Sequence, residues 1–265
     1  MQFNVDGYPS NSPDAAQYFA TEAEKLGVTL MLLQDTRRTE YSGTALARNV
    51  DIGRRQQQRR QHTNEERWVW RHDQRIKEIQ VGGVSTGMAE RLHRWVGHDK
   101  RHKQAVINDC RGFGRYSAIK LLGQKHEGVQ RTMLIVNVYV PQASGTLAKE
   151  IAKRGGEEQG NAGEYTKIQL IKDLDRMIKD NATPGTGIIV TGDLNMWLQN
   201  EHTKQNNMIR TWNKIMCDGH GLTNIFGKDD TQRTYVNATS ATWPDHTYVS
   251  DILIEAKMVK LPRVI

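Results

Sequence analysis

Three observations predict an α/β domain. Short aliphatic and β-branched runs, such as residues 28–33 and 188–191, end abruptly in polar residues. Amphipathic stretches of helical period alternate with them. The chain, 265 residues with 37% hydrophobic content, is long enough for one large core and shows no repeat of fixed period. A single domain over residues 1–265 is the expectation. The run Ile188-Ile189-Val190-Thr191-Gly192-Asp193-Leu194-Asn195-Met196 is the sharpest instance. It reads as a buried strand that delivers Asp193 and Asn195 to the rim of a sheet, where α/β folds place their ligands. Two positions apart in an extended segment, these side chains point the same way. A strand followed by a plain Asx-type turn accounts for the same residues.

The other elements follow in order. Phe3 and Val5 alternate with Asn4 and Asp6 before Gly7, which predicts an N-terminal strand with a polar end. Ser12 and Pro13 start a helix whose apolar positions are Ala16, Phe19, Ala20, Ala23 and Leu26, and Gly27 stops it. Residues 28–33 form a strand closed by Gln34-Asp35-Thr36-Arg37, so a second carboxylate, Asp35, arrives at a strand end. Residues 48–77 are basic and rich in Gln and Arg, with few residues able to form a core, and read as a solvated insertion or loop. Gly82-Gly83-Val84 restarts compact structure, and residues 98–103 read as a solvated basic loop without the ligands of a metal site. Residues 116–122 and 132–140 read as an antiparallel pair, the second ending in Asn137-Val138-Tyr139-Val140-Pro141-Gln142. Residues 144–163 read as a Gly-rich, charged connection. Tyr165, Ile168, Ile171, Leu174, Met177 and Ile178 mark a helix, and Met208, Ile209, Trp212, Ile215 and Met216 mark another. Residues 249–254 have strand composition and carry Asp251 inside an apolar run, where a carboxylate needs a partner.

Charge and cysteine usage bound the function. Lys and Arg number 37 against 30 acidic residues, a net +7, which favours a polyanionic partner such as nucleic acid. Cys110 and Cys217 lie far apart, without metal-ligand or disulfide spacing, and read as packing residues in a reducing compartment. No apolar run reaches membrane-spanning length and no signal sequence opens the chain. The expectation is a soluble, intracellular protein, nuclear or cytoplasmic, with no membrane partner.

Five segments taken together resemble the endonuclease/exonuclease/phosphatase superfamily: Asn4-Val5-Asp6-Gly7, Leu33-Gln34-Asp35-Thr36-Arg37, Asn137-Val138-Tyr139-Val140-Pro141, Thr191-Gly192-Asp193-Leu194-Asn195 and Ser250-Asp251-Ile252-Leu253. Each is weak alone, whereas five in this order from Asn4 to Ile254 are specific. The first, third and fourth look most like apurinic/apyrimidinic endonucleases. Thr242-Trp243 before the last strand looks like the endonuclease domains of LINE-type (non-LTR) retrotransposons. The resemblance implies an α/β (α+β) four-layer sandwich of two stacked mixed β-sheets flanked by helices. It also implies a Mg²⁺ or Mn²⁺ site at one end and in-line hydrolysis of a phosphodiester. Asp193 would deprotonate the attacking water and Asn195 orient it or the phosphate. Asp35 would bind the cation with Asn4 and Asp6 beside it. Tyr139 would donate to the phosphate or leaving group. Asp251 would orient a histidine that stabilises the pentacovalent phosphate. Asn4, Gln142 and Arg37 would contact substrate. The implied partner is DNA, with RNA as the alternative, in a chain belonging to a larger polyprotein with reverse transcriptase.

Two departures stand out. The metal position is usually glutamate, and Asp35 is one methylene shorter. The terminal Ser-Asp-His motif has no counterpart, because no histidine follows Asp251 and His246 precedes it. The expectation is a domain lacking that segment, with slow cleavage. Two alternatives keep the fold: a phosphatase acting on inositol phosphates, and a catalytically weak nucleic-acid-binding remnant.

Overall fold

A computed structural model of the chain describes residues 2–4, 25–34, 68–72, 83–97, 106–126, 128–156, 162–195, 207–225, 235–236, 241–242 and 245–258. Its centre is the antiparallel pair β6 (Tyr116–His126) and β7 (Val129–Tyr139), with β8 (Gly187–Asp193) parallel to β7. Alternation along these strands explains the layers. Leu134, Val136, Val138, Ile188 and Val190 face one side, where they join the core formed with the helices. Ile135 and Ile189, at the intervening positions, face a second sheet.

The first sheet has six strands, in the order β5 (Val106–Asn108), β6, β7, β8, β12 (Asp245–Ser250), β9 (Leu222–Asn224). The second has four, β1 (Gln2–Asn4), β2 (Leu30–Gln34), β4 (Val84–Ala89) and β3 (Trp68–His72). Both mix parallel and antiparallel pairs. Strands β10 (Tyr235–Val236) and β11 (Ala241–Thr242) form a small hairpin ladder. The two large sheets stack through Leu32, Met88, Val96, Val106, Ile119 and Ile135. Helices α1 (Glu90–His93), α2 (Thr146–Arg154), α3 (Ala162–Asn181), α4 (Asn207–Trp212, continued by a π-helical segment Asn213–Asp218) and α5 (Asp251–Glu255) complete the described elements. Leu170, Ile171, Leu174, Met177 and Ile178 on α3 and Trp212 on α4 cover the outer face of the six-stranded sheet. Trp212 meets Tyr248 edge to face at 5.2 Å, a geometry worth about 1 kcal/mol beyond area burial. The predicted α/β sandwich of two stacked mixed sheets is the observed architecture. All of the predicted helix before Gly27 except Lys25 and the exposed Leu26, and the basic loop at 98–103, lie outside the described residues.

Four expectations are corrected. Residues 68–72, inside the segment read as a solvated insertion, form β3 and pair with β4, because Trp68, Val69 and Trp70 give that stretch strand composition despite its basic surroundings. The connection at 144–163 contains α2, whose Leu147, Ala148, Ile151 and Ala152 recur at helical spacing and are buried. Cys110 is exposed and not a packing residue, whereas Cys217 is half-buried, with burial pushing its thiol pKa up to about 11. The fourth concerns Asp251. The last strand runs Asp245–Ser250 and stops there; Ser250 is the N-cap residue of α5, and Asp251 opens that helix as an exposed residue. An acidic side chain in a helix's first turn is favoured by the dipole, so Asp251 has a local structural reason to be there. No described helix is long and apolar enough to cross a membrane.

Candidate active site

Strand direction gathers polar residues at one edge of the sandwich. Parallel β7 and β8 end together, with Tyr139 opposite Asp193. Antiparallel β12 begins where β8 ends, with Asp245 opposite Asp193 and His246 opposite Gly192. In the second sheet β1 and β2 are parallel and end at Asn4 and Gln34, which are register partners. Two buried carboxamides bring these edges together. Gln34 Nε2 donates to Asn137 Oδ1 at 2.5 Å, and Asn137 Nδ2 donates to the carbonyls of Leu33 (3.1 Å) and Ser85 (3.2 Å). Gln34 and Asn137 are fully buried, so these bonds between sheets form away from water, where leaving them unmade costs about 1–3 kcal/mol per group.

Asp193 is 3% exposed. The residue before it must be glycine: a Cβ on Gly192, at φ 154°, would stand 1.8 Å from the Val138 carbonyl oxygen. The residues after it form a tight turn. Asn195 adopts φ 43°, donates its backbone N–H to Asp193 Oδ1 (3.0 Å) and its Nδ2 to the Val140 carbonyl (2.7 Å), while its own carbonyl accepts from Lys167 Nζ (2.7 Å). The Asx-type turn and the predicted strand end are thus one structure. Tyr139 is nearly buried beside Val84, Phe113, Leu147 and Ile151. Gln142, three residues on, is exposed.

Asp193, Asn195 and Tyr139 therefore share one edge. Asn4 ends its strand at this edge, its side chain lying outside the described residues, and Asp6, Asp35 and Arg37 lie outside them altogether. Asp251 does not belong here. It follows the last residue of β12, six positions from Asp245, or about 20 Å along a strand. There its carboxylate accepts from Thr223 Oγ1 at 3.0 Å. The aspartate in register with Asp193 is Asp245, whose side chain lies outside the described residues. The usable signal was the alternation of Tyr248 and His246 on one face against Thr247 and Asp245 on the other, but that signal counts only once the strand is known to start at Asp245.

A second carboxylate cluster lies beneath this edge. Asp109, Cys110 and Asp173 offer potential ligand atoms within 4.8 Å of one another. Arg115, fully buried, donates through Nε and Nη2 to Asp109 (both 2.8 Å) and through Nη2 to Asp173 (2.7 Å), and Arg111 Nε reaches Asp173 at 2.7 Å. Burial alone would raise the Asp109 pKa, but the hydrogen bonds and charge of Arg115 outweigh it and hold the carboxyl below its ordinary value. Two guanidinium groups already neutralise these carboxylates, so a dication there would meet like charge. The Arg115 carbonyl accepts the Tyr139 N–H, which makes this cluster a support for the β7 end. The edge at Gln34 suits a cation better. Its Oε1 is buried with no hydrogen-bond partner among the described residues, and it immediately precedes Asp35. Asn4, its register partner, ends β1 beside it.

By sequence the chain matches no protein-family model and no curated protein. By structure it is similar to AP endonuclease LMAP from Leishmania major, with a TM-score of 0.62 and 14% identity over 96% of this chain and 79% of that one. It is similar to the catalytic domain of APE2 from Xenopus laevis, with a TM-score of 0.60 and 15% identity over 96% and 82%. An endonuclease/exonuclease/phosphatase family protein from Leptotrichia buccalis gives a TM-score of 0.51 and 12% identity over 94% and 85%. The chain has the endonuclease/exonuclease/phosphatase fold. Identities this low carry the fold and leave the chemistry to the residues at the edge. On the endonuclease/exonuclease/phosphatase fold that edge is the place where Asp193, Asn195 and Tyr139 meet.

Proposed function

We propose that the chain is a metal-dependent phosphodiester hydrolase that nicks DNA, with residues 1–265 acting as one catalytic domain. The observation that supports this most is the register that sets Asp193 opposite both Tyr139 and Asp245, at the edge where Asn4 and Gln34 also end. Asp193 takes the proton from the attacking water. Asn195, held by Val140, orients that water. Tyr139 donates a hydrogen bond to the phosphate or leaving oxygen, and Asp245, the register partner of Asp193, takes the place that the resemblance gives to Asp251. Asp35, with Asn4 and Asp6, would hold Mg²⁺ or Mn²⁺, which when bound supplies charge neutralisation for the phosphate. Gln142 and Arg37 contact the flanking backbone. The net charge of +7 favours a polyanion over a small neutral substrate. The similarity to AP endonucleases favours DNA. Thr242-Trp243 favours a retrotransposon-type nickase, in which the domain would accompany a reverse transcriptase.

The test is relaxation of a supercoiled plasmid, with intact and abasic duplexes and an RNA duplex run in parallel. The expected result is nicking that requires Mg²⁺ or Mn²⁺, stops with chelator, and is lost in Asp193→Ala. Cleavage of intact DNA separates the retrotransposon-type reading from the apurinic one. Hydrolysis of an inositol phosphate without nicking would refute the nuclease reading, and steep salt-dependent DNA binding without cleavage would make the chain a binding protein.

A further inference from the structure

No motif in the sequence marks Lys167. It sits on α3, on the far side of the six-stranded sheet from the second sheet, and its side chain is half-buried. Its ammonium crosses from the helix to the turn after β8 and donates to the Asn195 carbonyl at 2.7 Å. That carbonyl belongs to a residue at φ 43°, a backbone conformation L side chains rarely adopt. Three contacts hold it: the Asn195 N–H on Asp193 Oδ1, the Asn195 carboxamide on Val140, and Lys167 on the carbonyl. The first two involve groups assigned to the reaction itself. The third comes from outside the edge.

The chemistry of the contact suits a support. Burial pushes the Lys167 pKa down, and the negative charge of Asp193 counteracts this. The lysine therefore pays its desolvation beside the carboxylate it serves, while its hydrogen bond goes to the neighbouring peptide. An apolar residue in its place would leave a partly buried carbonyl without this donor and the left-handed turn with two contacts.

We propose that Lys167 is a positioning residue that locks the Asp193-Leu194-Asn195 turn, so that Asp193 and Asn195 are presented in one fixed geometry. The inference rests on the reading of those two residues as the reacting pair. Lys167 acts through Asn195 and does not touch substrate. Mispositioning of a reacting group by about 1 Å is enough to cost on the order of a hundredfold in rate.

Three measurements on the full chain carrying Lys167→Met or Lys167→Arg test it. The nicking rate at saturating DNA is expected to fall on the order of tenfold to a hundredfold in Lys167→Met, with DNA affinity and its salt dependence unchanged. Lys167→Arg, which keeps the charge and a donor, is expected to restore most of the rate. Amide exchange at Asn195 is expected to accelerate in Lys167→Met, while the amides of Leu134 and Val136 keep their protection. Unchanged exchange at Asn195 overturns the proposal. So does weaker DNA binding with a shallower salt slope at full rate, which would make Lys167 a phosphate contact. If the wild type and Asp193→Ala are equally inactive, the nuclease reading fails, and the exchange measurement still decides the clamp.

Discussion

Asp193 and Asp251 stand at opposite ends of one strand pair, and only the first lies where strand ends of both sheets converge. At the Asp193 end β7, β8, β12, β1 and β2 all terminate or begin, so five backbones deliver polar residues to one place. At the other end β12 passes through Ser250 directly into α5, and Asp251 becomes an exposed first-turn residue held by Thr223 and Gly221. The two carboxylates are similar in sequence setting: each follows or lies within an aliphatic run. What separates them is register, which decides which strand ends coincide.

The largest expected effect is on the reaction. Asp193→Asn keeps the shape of the turn and its acceptor oxygen but removes the base. The nicking rate is expected to fall by about 10²–10⁴ with unfolding temperature little changed. A rate within threefold of wild type would dissolve the contrast between the two ends, because Asp193 would then be as dispensable as Asp251.

The glycines near the two ends of β8 break the comparison in a second way. At the Asp193 end, alanine at Gly192 would drive its Cβ into the Val138 carbonyl, a backbone group that cannot rotate away. At the other end, alanine at Gly187 would meet Leu253 Cδ2 at 2.6 Å, the tip of a side chain that can rotate. Gly192→Ala is therefore expected to cost about 4 kcal/mol or more, and Gly187→Ala about 1–3 kcal/mol. Denaturant titration measures both, and an inverted order would mean that the Asp193 end is the more compliant.

A third acidic group sharpens what makes a carboxylate structural. Asp109 is as buried as Asp193, yet Arg115 binds it through two nitrogens. Its folded pKa lies below its ordinary value because the Arg115 bonds and charge outweigh burial. A depressed pKa means that the stability Asp109 contributes is present above its unfolded pKa, near 4, and is lost as the pH falls through the lower folded value. Asp109→Asn leaves Arg115 with Asp173 as its one remaining carboxylate partner among the described residues and is expected to cost about 3 kcal/mol at neutral pH. The difference from wild type should shrink below pH 4. A difference that stays constant to pH 2 would mean that Asp109 contributes through shape alone.

Much of this contrast was legible in the sequence. Thr191-Gly192-Asp193-Leu194-Asn195 and Asn137-Val138-Tyr139 both read as strand ends, and both are, because aliphatic alternation followed by a polar break reflects burial directly. The short apolar run at 249–254 carried no such guide. Its Val249-Ser250-Asp251-Ile252-Leu253-Ile254 has strand composition, but Ser250 followed by an acidic residue is also a helix start, and the helix forms. That switch moved Asp251 from the site and left Asp245 in register with Asp193. Lys167 was illegible for a different reason: one lysine on an amphipathic helix is ordinary until the fold shows which carbonyl it reaches.

The smallest expected effect belongs to Asp251 itself. Its carboxylate accepts one side-chain hydrogen bond, from Thr223, and it is exposed. Asp251→Ala removes that bond and a favourable charge at a helix start, both screened by water, so the stability change is expected to stay within about 0.5 kcal/mol. The nicking rate and its Mg²⁺ dependence should match wild type, since about 20 Å of strand separates this residue from the reacting edge. A tenfold loss of rate with the fold intact would show that β12 couples its two ends, and would return Asp251 to the site by a route other than contact.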